Sequence, residues 1–123
     1  MKLGYVLVVV AVIFAAVAYL YATGSPYRIS APDAKKRIQD GQIDLILDVR
    51  TSAERATLGF YPGSVPIPSA DLDVRMPALY PNKQTRILAY CNTGHRARMA
   101  TDKLRGMGYT NAVFISSTYG SLL

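Results

Sequence analysis

Arg86-Ile87-Leu88-Ala89-Tyr90-Cys91-Asn92-Thr93-Gly94-His95-Arg96-Ala97 decides how the chain reads. Its first part is a short, continuous apolar run, which suits a strand buried on both faces of a parallel sheet. The run leads straight into Cys91. Asn92-Thr93-Gly94 is a loop, and Gly94 permits it to turn tightly. From His95 onward Ala97, Ala100, Leu104 and Met107 recur at helical spacing, so a helix is expected from about His95 to Met107, ended by Gly108. A cysteine therefore stands at the carboxyl end of a strand and before a helix amino terminus. That end of an open α/β sheet is where ligands bind. Backbone N–H groups of the loop and first helical turn point into the space beside the sulfur, a setting that favours anions. Arg96 adds a fixed positive charge and a planar fork of donors for oxyanions.

The same alternation continues on both sides. Ser30-Ala31-Pro32-Asp33 reads as a helix start, with Ala34 and Ile38 inward and Gly41 as the stop. Ile43 to Arg50 holds a strand whose centre is Leu45 to Leu47. Thr51 or Ser52 caps a short helix containing Glu54, and Gly59 to Ser64 is a turn. Val65-Pro66-Ile67-Pro68 is too rich in proline for a central strand and reads as extended edge structure. Ser69 is expected to cap a helix carrying Leu72, Met76 and Leu79, which Pro77 kinks or ends. Ala112 to Ile115 is the last strand. Strands alternating with helices make the domain α/β with a mainly parallel sheet.

Composition narrows the function. The chain has 123 residues and a net charge of +6. Without Lys2 the soluble part carries +5, thirteen bases against eight acids. That suits small anionic substrates or anionic lipid. There is no nucleic-acid motif and no aromatic-basic stripe, so nucleic acid is not expected as a partner. One cysteine and one histidine exclude an internal disulfide, a C-x-x-C redox pair and a structural zinc site. No cofactor is implied. Cysteine chemistry must use one sulfur and an outside partner. His95 reads as a solvated loop residue, and Arg98, Lys103 and Arg105 as a solvated helix face.

Leu3 to Ala22 carries no charge over twenty residues. As a helix it spans about 30 Å, the thickness of a bilayer core. Tyr19 and Tyr21 near its end suit the interface, and Thr23 to Pro26 break it. We expect an anchor over residues 1–23, touching lipid through residues 3–22, and a folded domain over 24–123. A cleaved signal peptide is the alternative, with Ala16-Val17-Ala18 resembling a cleavage site. Lys and Arg counts favour a cytoplasmic domain.

These residues carry a family resemblance. Leu45 to Ile115 resembles the rhodanese domain in three ordered segments. Leu47-Asp48-Val49-Arg50 with Glu54 resembles its first-strand motif. Gly59, Pro62-Gly63-Ser64 and Ile67-Pro68 resemble its G-H-I-P-G-A-x-x-I-P signature. Cys91-Asn92-Thr93-Gly94-His95-Arg96 resembles its C-x-x-G-x-R active loop, with Gly108-Tyr109 following. The likeness is nearest to the bacterial single-domain thiosulfate sulfurtransferases. It implies a rhodanese-like three-layer fold behind one transmembrane helix. It also implies that Cys91 takes sulfane sulfur from an anionic donor such as thiosulfate, as a persulfide, and passes it to cyanide or a thiol. The amides of Asn92, Thr93, Gly94, His95 and Arg96 would hold the persulfide, Arg96 the donor's oxyanion, and Asp48 and Arg50 would position the loop. Phe60 stands where the family often has His, and the final helix with its Trp is missing.

Two rival classes remain open. Related cysteine-dependent phosphatases and arsenate reductases resemble this fold but use C-x5-R, whereas Cys91 to Arg96 is C-x4-R and Ala97 follows. A membrane-tethered sulfur carrier or interaction module would need no turnover.

Overall fold

A computed structural model describes residues 2–123. Met1, the head of the expected anchor segment, lies outside the described residues. Helix α1 runs Lys2–Thr23, and α2 runs Ala31–Gln39. They are followed by β1 (Leu45–Asp48), α3 (Ser52–Leu58) and β2 (Val65–Pro66). Then come α4 (Leu72–Leu79), β3 (Ile87–Tyr90), α5 (His95–Gly106) and β4 (Ala112–Phe114). The strands form one parallel sheet in the order β2-β1-β3-β4. The proline-containing β2 lies at an edge, where a missing N–H costs no ladder bond.

Alternation along β3 divides the core. Ile87 and Ala89 point to one face, where they meet Leu72 and Met76 of α4 and Ala97, Ala100 and Leu104 of α5. Leu88 and Tyr90 point to the other, against Ala34 of α2, Ile115 and Leu122. Every residue of β3 is buried, as its unbroken apolar run requires. The result is an α/β fold with helices on both faces of the parallel sheet. Each fully buried aliphatic side chain contributes about 1.5–3 kcal/mol relative to exposure.

Local expectations hold in part. Ser30 caps α2, its Oγ accepting from the Asp33 N–H at 3.2 Å. Thr51 rather than Ser52 caps α3, in a reciprocal capping box with Glu54. Ser69 caps nothing. It opens a 3-10 turn, Ser69–Asp71, that leads into α4. Of the expected inward set of α4, Leu72 and Met76 are buried while Leu79 is exposed. Pro77 lies inside α4, which ends two residues later. The chain closes in a 3-10 turn, Tyr119–Leu122, whose Leu122 fills the core beside Ala34.

One further piece of sheet was not anticipated. Arg28 bridges in parallel to Phe114, with Phe114 N–H donating to the Tyr27 carbonyl and Ile29 N–H to that of Phe114. The segment between α1 and α2 thus runs beside β4.

Candidate active site

The site forms where β3 ends. Cys91 is 1 % exposed and lies under its own loop. Its Sγ accepts the Gly94 N–H at 3.1 Å and the Ala97 N–H at 3.4 Å. Both donors belong to the amino end of α5, so the sulfur sits at the positive end of that helix's dipole. Gly94 is the N-cap and has φ +94°, a region that L side chains avoid. A Cβ there would also come within 2.6 Å of Cα and Cβ of Ser116. Glycine is needed both for the turn and for this close approach.

Glu54 clamps the loop. Its carboxylate receives both terminal nitrogens of Arg96, at 2.5 and 2.7 Å, and Asn92 Nδ2 at 2.8 Å. Thr51 donates to the same carboxylate from its N–H and hydroxyl, at 3.2 and 3.0 Å. The capping box of α3 is therefore also the tether of the β3–α5 loop. Arg96 beside it holds the Glu54 carboxyl down at about 2, against 4.5 without such partners. A depressed carboxyl supports the fold when ionised. We expect the clamp to be intact above about pH 4.5 and to be lost as pH falls through about 2. Amide exchange at Asn92–Gly94 in acid titrations of wild type and Glu54→Gln measures this. Loop protection that falls with acid in wild type and is already reduced in the variant is the expected result.

Beneath the clamp lies a buried polar network. Asp48 Oδ1 accepts from the Arg50 N–H at 3.0 Å and from its Nε at 2.9 Å. Oδ2 accepts from Arg50 Nη2 at 2.9 Å, Tyr90 OH at 3.0 Å and Arg55 Nη1 at 3.1 Å. The Asp48 and Arg50 side chains are each 1 % exposed. Burial opposes the Asp48 charge, but the Arg50 donors and the Tyr90 hydroxyl outweigh it and hold the carboxyl below its ordinary range. Arg50 extends from this pair to the Gly59 carbonyl at 2.6 Å and to Asn92 Oδ1 at 3.3 Å. Its guanidinium lies over the rings of Tyr90 and Tyr119, at 5.3 and 5.7 Å. Arg50, itself held by Asp48, thus reaches Asn92 from below. Phe60, at the family's frequent histidine position, lies under the Arg55 guanidinium at 3.9 Å.

Two clefts flank the loop and meet at Asn92. One, of about 630 Å³, is lined by Ala18, Tyr19, Arg28, Asn92, Thr93, His95 and Ser116. The other, of about 530 Å³, is lined by residues that include Arg50, Asn92 and Tyr119. Thr93 is exposed on the loop, and His95, expected in the loop, is instead the exposed first residue of α5. The His95 ring stands 5.1 Å from that of Tyr21, at the end of α1.

The expected solvated face of α5 needs correcting. Arg98 stacks over Tyr21 at 3.9 Å, donates to its carbonyl and pairs with Asp102. Arg105 covers Tyr27 at 3.6 Å and donates to the Ala112 carbonyl at 2.8 Å. Lys103 pairs with Asp73 of α4 at 3.0 Å. Lys103 stays on the surface as expected, but sequence spacing could not reveal that α1 and its following segment cover Arg98 and Arg105.

Sequence reading also missed two loop groups. Of the Asn92–Arg96 amides expected around the sulfur, that of Gly94 donates to it, and the second donor is the Ala97 N–H just beyond them. Glu54 was legible as part of a motif and a capping box, whereas its reach across to Asn92 and Arg96 was not. Among the described residues no cluster of three or more His, Cys, Asp and Glu could hold a metal.

A single cysteine sulfur, cradled by helix amides at the carboxyl edge of a parallel sheet, is the centre of the candidate site. The rhodanese-like domain model matches residues 30–118, and the chain belongs to that family. Among solved structures it is similar to the human single-domain sulfurtransferase TSTD1, at 28 % identity and TM-score 0.66, covering 79 % of this chain and 95 % of that one. A rhodanese-related protein from Thermoplasma volcanium is 25 % identical, TM-score 0.64, over 77 % of this chain and 88 % of its own. A protein of unknown function from Rhodopseudomonas palustris, described as a possible tyrosine phosphatase, is 24 % identical, TM-score 0.68, over 85 % of each chain, a likeness of fold. No curated protein matches the chain significantly.

Proposed function

We propose that the protein is a sulfurtransferase that carries sulfane sulfur on Cys91, with thiosulfate or a similar anion as donor. The observation that carries this is the pair of helix amides on Sγ. Donors placed where charge develops stabilise a sulfur anion without reorganising. The Cys91 thiolate attacks the outer sulfur of thiosulfate. A new S–S bond forms, the donor's S–S bond breaks, and sulfite leaves with the electron pair. The persulfide, negative at its outer sulfur, then transfers that atom to cyanide or a thiolate, and the Cys91 thiolate returns.

The loop residues divide the work. Amides of Asn92, Thr93, Gly94, His95 and Arg96, with that of Ala97, surround the persulfide. At 1 % exposure the sulfur admits a donor only when its surroundings open. Arg96 contributes positive potential from a fork already engaged by Glu54. Asp48 and Arg50 position Asn92 from below.

A phosphatase reading is weaker on two counts. The loop has four residues between Cys91 and Arg96, and the arginine fork that would cradle a phosphoryl group is closed by Glu54. Full-length protein in detergent, given thiosulfate and cyanide, should form thiocyanate and leave an aryl phosphate untouched. A folded protein that makes no thiocyanate overturns the thiosulfate assignment and favours a sulfur carrier or interaction module.

We also propose that α1 anchors the domain in a membrane, with residues 24–123 on the cytoplasmic side. Lys2–Tyr21 is long and apolar enough to cross a bilayer, none of its residues is fully buried, and Tyr21 at its end packs against His95 and Arg98 of the domain. A signal sequence has the same composition. Recovery of intact chain in the alkali-washed membrane fraction, with its domain protected from external protease, supports the anchored reading. Release of a shortened soluble chain refutes it.

A further inference from the structure

We propose that Arg28, in the segment between α1 and the catalytic domain, is the specificity-determining residue that holds the oxyanion group of the sulfur donor, in the cleft between the end of α1 and the Cys91 loop. The proposal rests on the sulfur-transfer reading and deepens it, because it names which cation meets the anion.

The argument starts from charge. A donor such as thiosulfate brings a sulfonate to the sulfur, and an arginine fork suits such a group. Most guanidinium groups near the loop are already paired. Arg96 is engaged by Glu54, Arg50 and Arg55 by Asp48, and Arg98 by Asp102. A clamped arginine must give up a carboxylate before it can receive a substrate. Arg28 forms no ion pair with a carboxylate among the described residues, and it lines the cleft with Asn92, Thr93, His95 and Ser116.

Position makes the same case. The parallel bridge to Phe114 sets Arg28 beside β4 near the carboxyl edge of the sheet. Its Nε donates to Ser116 Oγ at 2.7 Å, which fixes the guanidinium at the cleft wall. Ser116 in turn lies against Gly94, whose N–H holds the Cys91 sulfur. Arg28 and the nucleophile are thus linked through two residues in direct contact. Ala18 and Tyr19 of α1 form the opposite wall. An anion in this cleft lies beside Asn92 and Thr93, the two residues that follow Cys91 in its loop. Arg28 also falls outside the stretch, residues 30–118, that matches the family model. The charge is supplied by this chain's own leading segment.

The test compares Arg28→Gln, Arg28→Lys and Ser116→Ala in the full-length protein in detergent. Steady-state rates with thiosulfate and cyanide give kcat and KM. Arg28→Gln should raise the thiosulfate KM about tenfold or more, the size of one lost charge-assisted contact, with kcat falling less than about threefold. Arg28→Lys should recover most of that KM, because it keeps the charge. Ser116→Ala should shift KM less than about threefold, because it removes the Arg28 hydrogen bond and leaves the cation. A purely structural role predicts the opposite order, with Ser116→Ala as harmful as Arg28→Gln and no recovery by lysine, and that order overturns the proposal. So does an unchanged KM in Arg28→Gln.

Sulfite, the leaving anion, provides a second readout that needs no turnover. Its titration, followed at the amide resonances of Asn92, Thr93 and Ser116, should saturate in wild type and weaken in Arg28→Gln. Saturable, Arg28-dependent sulfite binding without sulfur transfer supports the anion site while the sulfurtransferase reading fails. Sulfur transfer with sulfite binding indifferent to Arg28 leaves that reading standing and removes Arg28 from it.

Discussion

Cys91→Ala is expected to abolish thiocyanate formation, by at least about a thousandfold, while the fold persists. The chain has no second cysteine to replace the sulfur. Removing Sγ leaves the Gly94 and Ala97 N–H groups in place, at a helix terminus where water satisfies them in many proteins. The side chain is small, and alanine fits its volume without overpacking β3 or α5. The measurement is the rate with thiosulfate and cyanide, beside mass spectrometry of the protein after thiosulfate alone. Wild type should gain the mass of one sulfur atom and the variant none. Residual turnover within tenfold of wild type in a folded variant would sink the persulfide mechanism. Loss of turnover together with loss of fold would show that alanine disturbs more than the sulfur, and a Cys91→Ser variant that folds and is inactive would then separate the two effects.

Asp48→Ala carries the largest expected cost in stability. It removes the acceptor for Arg50, Arg55 and Tyr90 and leaves the Arg50 guanidinium charged, 1 % exposed and without a carboxylate. Breaking a buried pair from one side costs about 3–5 kcal/mol. Native stability totals only about 5–15 kcal/mol, so much of the folded margin disappears. Urea denaturation at neutral pH measures the loss. The double variant Asp48→Leu, Arg50→Met should recover a good part of it, because an apolar pair needs no partner in the core. It should not recover activity, since Arg50 also donates to Asn92 in the loop. A single Asp48→Ala variant as stable as wild type would show that the network does not support the fold in this way.

The two effects meet at Asn92. From below, Arg50 holds its oxygen, and from the side Glu54 holds its amide nitrogen. The loop is therefore fastened to β1 and α3, elements that precede it by some forty residues. This explains why the first-strand motif and the cysteine loop belong to one site although neither contains the other. It also sets the place of Arg96. Its fork is spent on Glu54, and the role of meeting an anion in the cleft is proposed for Arg28 instead.

Much of this was legible before any coordinates. Unbroken apolar runs at Leu45 to Leu47 and Ile87 to Tyr90 have one good solution, strands covered on both faces, and the structure has them so. Ser30 and Thr51 act as caps because the chemistry of a cap is local, a side-chain oxygen reaching an N–H three residues on. Strand, cysteine, glycine and helix start along Tyr90 to Ala97 placed the sulfur at a helix amino terminus by the same kind of short-range geometry. The charge-free run of Leu3 to Ala22 likewise declared a helix whose sides carry no polar stripe.

Other features depended on distance in the chain. Nothing local told Ser69 that a 3-10 turn would precede α4, or Leu79 that its side would lack a neighbour. The pairing of Glu54 with Arg96, and of Arg50 with Asn92, joins residues 42 apart. Such contacts exist only after the parallel crossover has brought β1 and β3 side by side. The cover that α1 lays on Arg98, and the strand-like seat of Arg28 beside β4, follow from packing alone, with no periodic signal to announce them. Periodicity and capping are properties of neighbours, so the sequence determined the elements and the position of Cys91. Which charges are paired and which line the cleft depends on what folding brings together, and only the tertiary structure decided it.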